Sequence, residues 1–76
     1  MSNYMSEVRH HEKEIQRLNS AGSENYRVAR YHLDEIGEIM KRVSKSKNNK
    51  GNISIIHDIY KSLQILVDKM KLSADY

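Results

Sequence analysis

The stretch 41–57 holds five basic residues, Lys41, Arg42, Lys45, Lys47 and Lys50, and no acidic one. Ammonium and guanidinium groups clustered in this way suit one chemistry above others. They contact phosphates and release the counterions condensed on a polyanion. Asn48 and Asn49 can add hydrogen bonds to phosphates or bases. The competing reading is a solvated linker whose charge maintains solubility. The chain carries a net charge of +3, yet outside this stretch 8 basic residues stand against 10 acidic ones. The cationic excess is therefore local, and a local excess is the footprint expected of a polyanion partner.

Two further constellations bear on binding. In "NYRVARYH", residues 25–32, helical spacing puts Tyr31 opposite Leu33 and Ile36, with Arg27 one turn before it. An exposed tyrosine beside an arginine can stack on a splayed base. Asp34 and Glu38 share that face and would repel phosphate, and the alternative is that Tyr31 simply covers its own helix. Ile65 and Leu72 lie seven residues apart, on the side opposite Leu63, with Lys61 and Asp68 for neighbours. Two apolar side chains on a polar face point to a second contact, either internal or with another protein.

Catalytic and metal chemistry find little support. Glu7 and His10 form one E-x-x-H pair, the spacing used in di-metal helical bundles, but such a site needs a second pair and further carboxylates on facing helices. His11 falls on an apolar seam and reads as a half-buried core histidine, with a pH-sensing role as the alternative. His57 and Asp58 are adjacent, and Asp58 complements the dipole at a helix start. No nucleophile–base–acid set and no glycine-rich phosphate loop can be assembled. The expectation is a protein that is not an enzyme, with no cofactor and no metal.

The elements that must position these residues are read from periodicity. There is no proline and no cysteine among 76 residues. The first absence removes the strongest helix breaker, and the second removes any disulfide or thiolate site. The length allows one small domain, 1–76, with a small core. No N-terminal leader pattern and no run of membrane-spanning length is visible, so a cytoplasmic, soluble protein is expected. The match at "NIS", residues 52–54, to a glycosylation acceptor is then fortuitous.

Three segments repeat apolar residues with helical spacing, and none alternates as a strand does. The first spans about 3–19, with a seam of Tyr4, Val8, His11, Ile15 and Leu18. The small and polar run around Gly22 should break it. The second spans about 24–43, with Ser23 as its expected N-cap and a seam of Ala29, Leu33, Ile36, Met40 and Val43. Gly37 inside it marks either close helix approach or a bend. A basic loop, 44–52, follows. The third spans about 53–72, capped by Asn52 or Ser54, with a seam of Ile56, Ile59, Leu63, Leu66 and Met70, widened by Ile55, Tyr60 and Val67. The fold class expected is all-α, a bundle of three or four helices in which the second and third form an antiparallel hairpin. A fourth helix would arise from a break near Gly37 or from a turn around residues 21–26.

Read as a whole, from "MSNYMSEVRHHEKEIQRLNS" through "YHLDEIGEIMKRVSKSKNNKGN" to "IIHDIYKSLQILVDKMKLSADY", the chain resembles a small T-even phage protein encoded beside the UvsW recombination and repair helicase. That resemblance implies a helical bundle similar to the HRDC module of RecQ-type helicases, a DNA-binding accessory domain that uses basic residues on loops and helix ends. The positions matching that use are the lysines of "KRVSKSKNNKGN". The chain departs from the module in lacking prolines and in having isolated glycines, Gly22, Gly37 and Gly51. The function expected is a non-enzymatic nucleic-acid-binding accessory protein for DNA repair, recombination or replication, with weak sequence specificity. Its partners would be single-stranded or branched DNA and a helicase or recombination protein, in the host cytoplasm for a phage-encoded chain. The binding set is Lys41, Arg42, Lys45, Lys47, Lys50, Arg27 and Tyr31. The alternative is a protein-interaction module that docks through an apolar helix face, with Ile65 and Leu72 as its contacts.

Overall fold

The computed structural model describes residues 4–45 and 50–74 of the chain, apart from the side chains of Lys50 and Gly51. These residues form three α-helices and one short 3-10 turn: α1 (Tyr4–Ala21), the turn Ser23–Asn25, α2 (Tyr26–Ser44) and α3 (Lys50–Ala74). No strand occurs among them. Each helix packs on the other two, so the architecture is an all-α three-helix bundle. Ser6 to His11 of α1 share a cleft with Glu35 to Arg42 of α2, so these helices run antiparallel. α3 begins soon after α2 ends and packs along it, with Gly37 of α2 facing Tyr60 of α3, so the second hairpin is antiparallel as well. Among the described residues no helix is long and apolar enough to cross a membrane.

The core follows the expected seams closely. Val8, Ile15 and Leu18 of α1 are buried together with Ala29, Leu33, Ile36 and Val43 of α2 and Ile56, Leu63, Val67 and Met70 of α3. Tyr4, Met40, Ile59, Tyr60 and Leu66 pack half-buried around them. Ile39 joins the core although it stands outside the 4-3-4-3 seam of α2. The reason is that α2 packs on both neighbours, and a helix covered from two sides needs a wider apolar face. Ile55, expected to widen the α3 seam, is instead 46% exposed.

The helix ends differ from their expected positions, and each difference has a local cause. α1 continues through Asn19, Ser20 and Ala21 because nothing there forbids helical geometry. Gly22 stops it, with φ 145° and ψ 148°, a conformation open to almost no residue but glycine. The Gly22 amide still donates to the Leu18 carbonyl at 3.1 Å. Its own carbonyl then accepts from the Asn25 amide at 3.2 Å, which closes the 3-10 turn. Ser23 therefore lies inside that turn and is not the N-cap of α2. Asn25 occupies the cap position, without a side-chain capping bond. This turn is the extra element anticipated around residues 21–26, whereas Gly37 leaves α2 unbroken.

The third helix starts at Lys50, so Asn52 and Ser54 are helical residues and not caps. With no proline nearby, a glycine at position 51 costs only about 1 kcal/mol against alanine, and the long apolar seam downstream outweighs that. The connection between α2 and α3 is shorter than the loop 44–52 read from composition. α3 also runs two residues past its expected end, to Ala74.

Candidate nucleic-acid interface

The basic cluster divides among three elements. Lys41 and Arg42 occupy the last turn of α2, where cations complement the carbonyl pole of the helix. Lys45 follows as the C-cap, its amide donating to the Arg42 carbonyl at 3.3 Å. The Ser44 hydroxyl donates to the Lys41 carbonyl at 2.7 Å, so two of the terminal carbonyls are satisfied locally. Lys50 opens α3, at the pole where backbone amides favour anions. Lys47, Asn48 and Asn49 lie outside the described residues, as does the Lys50 side chain. In chain order the cationic end of α2 is thus followed, after a short connection, by the amide end of α3.

The two cations of the last α2 turn are not equivalent. Lys41 meets Glu38 at 3.5 Å, with side chains 74% and 59% exposed. A pair this open contributes about 0–1 kcal/mol, so a phosphate can displace the carboxylate easily. Arg42 is exposed but leans over a cleft that it lines with Ser6, Glu7, His10, His11, Glu35 and Ile39. Two carboxylates in that lining reduce the local positive potential. Lys45 has the least compromised position of the three, exposed beyond the helix end.

Arg27 and Tyr31 are both exposed, as expected, but they belong to the other half of α2. The rise of about 1.5 Å per residue places Arg27 roughly 21 Å from Lys41 along the helix. Asp34 and Glu38 stand between them, the former paired with Arg30 at 3.3 Å. The Tyr31 ring meets the His32 ring edge-on, with centroids 5.5 Å apart. The fold therefore does not bring Arg27 and Tyr31 to the basic end. Ile65 and Leu72 are exposed at 60% and 66% on α3. They are not covered by α1, which leaves the internal explanation for them unsupported.

Sequence reasoning missed one group of side chains. His11 and His32, on facing helices, approach with Nδ1 to Nδ1 at 2.8 Å. His10 joins them, its ring centroid 5.3 Å from that of His11 and 6.4 Å from that of His32. The signal was present in principle. A chain reversal centred on Gly22 pairs residues equidistant from it, and 11 and 32 are nearly so. Burial is the largest influence on His11 and lowers its pKa below 6.5, with His32 and His10 acting in the same direction. Among the described residues no three histidine or carboxylate groups are placed to hold a metal ion. His57 and Asp58 are exposed on α3.

No family model, no curated protein and no solved structure matches this chain.

Proposed function

We propose that this protein is a non-enzymatic nucleic-acid-binding accessory protein, serving DNA repair, recombination or replication. The observation that carries the reading is the end of the α2–α3 hairpin. Lys41, Arg42 and Lys45 close α2, Lys50 opens α3, and the sequence between 41 and 57 has no acidic residue. Lysine heads on flexible stems suit backbone contact better than base readout. Binding is then electrostatic and weakly sequence-specific, with single-stranded or branched DNA as the ligand. The resemblance to the phage-encoded neighbours of a repair helicase, and to HRDC modules, agrees with this reading and would place the protein in the host cytoplasm beside a helicase. Arg27 and Tyr31 form at most a separate, weaker contact.

The test is a salt series with single-stranded, duplex and forked DNA. Each phosphate contact contributes about 0.7–0.9 to the slope of log K against log salt. Replacing Lys45, Lys47 and Lys50 together by alanine should lower the magnitude of that slope by about 2–3, with the helical circular dichroism spectrum retained. Unchanged affinity in the triple variant would make the stretch a solvated connection.

A second reading has its own observation. Ile65 and Leu72 present two large apolar side chains to solvent from one face of α3. A protein-interaction module would dock there, and its binding would tolerate salt. Failure of the wild-type protein to bind any DNA at low salt would favour it.

A further inference from the structure

The hydrogen bond between His11 and His32 is a part-buried side-chain link between α1 and α2. The pairs Arg9–Glu12, Arg17–Glu14, Arg30–Asp34 and Lys41–Glu38 instead each join residues three or four apart on one helix. An Nδ1 to Nδ1 contact of 2.8 Å has a strict proton requirement. One ring must carry hydrogen on Nδ1 and the other must offer a lone pair there. A first added proton can settle on Nε2 of the donor ring, which leaves the bond intact and makes it charge-assisted. A second proton has to enter on the accepting Nδ1, and that removes the acceptor. The bond then becomes a contact between two imidazolium rings.

We propose that His11 and His32 form an acid-sensitive latch between α1 and α2, closed while the pair holds no more than one extra proton and forced open by the second. The proposal stands whether or not the protein binds DNA.

The surroundings favour the break. His10 adds a third ring beside the pair, so full protonation gathers three positive charges at one spot. Arg42 lines the adjoining cleft. Opposing them are Glu7 on α1 and Glu35 on α2, both of which favour a charged His11. Glu14 interacts favourably with His10 and His32, but its carboxylate is engaged by Arg17 at 2.7 Å. The charges acting on His11 all sit on α1 and α2. Tyr31 touches the outer side of His32. The sum leaves His11 reluctant to charge, with burial the first cause and His32 the next.

The sign of the effect follows. A histidine with a lowered pKa in the folded state is protonated more readily in the unfolded chain. Its contribution to stability is complete above about pH 6.5, the unfolded value, and is lost as pH falls through the folded value. Because the rings interact, the loss appears as the lower of two steps belonging to the pair.

Denaturant unfolding from about pH 8 to about pH 5 tests this, in the range where histidine is the side chain whose ordinary pKa falls. The wild-type folding constant should fall along an acid limb. The fall is about tenfold for each unit by which the pair's lower step lies under the ordinary histidine value. His32→Ala should flatten the limb, whereas His57→Ala, an exposed histidine on α3, should keep it. An identical limb in wild type and His32→Ala overturns the latch. Should His32→Ala fail to fold, imidazole nitrogen NMR on the wild-type protein decides. One Nδ1-protonated and one Nδ1-accepting ring, titrating in two steps with α1 amide shifts following the lower one, supports it. Two rings titrating independently at ordinary values overturns it.

Discussion

α1 and α3 both pack on α2, yet they bring different materials to it. α3 contributes Ile56, Leu63, Val67 and Met70, all buried and all apolar, with Tyr60 lying against the bare backbone of Gly37. α1 contributes Val8, Ile15 and Leu18, and in the middle of that seam stands His11. Burial of hydrocarbon is indifferent to pH, and its strength follows area. A hydrogen bond between two imidazoles depends on a proton count. One side of α2 is therefore held by hydrocarbon alone, and the other by hydrocarbon together with a hydrogen bond whose proton count acid can change.

The strongest attack on this contrast is Leu63→Ala. Leu63 is only 4% exposed at the centre of the α3 seam. Its truncation should cost about 2–5 kcal/mol in denaturant melts, at all pH values alike. Leu72→Ala, at a site 66% exposed on the same helix, should stay within about 0.5 kcal/mol. Equal losses would mean that burial on α3 is not confined to the Leu63 face.

Gly22→Ala tests the connection that delivers α1. Its φ of 145° strains any residue with a β-carbon, and a cost of about 1–3 kcal/mol is expected. The nearby Glu24 carboxylate would also be displaced, although a flexible side chain yields cheaply. Gly37→Ala is the smallest and has the opposite sign. A β-carbon there would sit 3.5 Å from Cε2 of Tyr60, an ordinary contact. Helix propensity should then raise stability by up to about 1 kcal/mol. A loss instead would show that the α2–α3 approach needs the bare glycine.

The same contrast explains what could be read from the sequence. Seams made of hydrocarbon announce themselves by spacing, and eleven of the twelve buried core residues lie on the seams or their widened flank. Ile39 escaped because a single-stripe reading has no term for a helix covered on two sides. Ile55 was overcounted because one apolar neighbour of a seam looks like another until packing decides. The helix ends were less legible. Ser23, Asn52 and Ser54 have capping chemistry, but hydrogen bonding around Gly22 and the absence of proline set the boundaries. The His11–His32 pair requires the register of two helices, which no single segment encodes. For the proposed interface, the composition around residue 45 was visible at once. The distance of Arg27 and Tyr31 from it was not, because a helical wheel discards position along the axis.

The central place of α2 also bears on how the chain folds. Its hairpin partners are its immediate neighbours in sequence, joined through Gly22 and the 3-10 turn on one side and a short connection on the other. Contacts between such neighbours close small loops, and helical chains of this kind fold in microseconds to milliseconds. Both hairpins draw on the same helix, so they compete to be the first to form rather than nucleating separately. A nucleus at the α2–α3 pair would leave α1 to close on a hairpin already in place. Mutations along α3 should consequently slow folding, while those at the α1 seam should mainly speed unfolding.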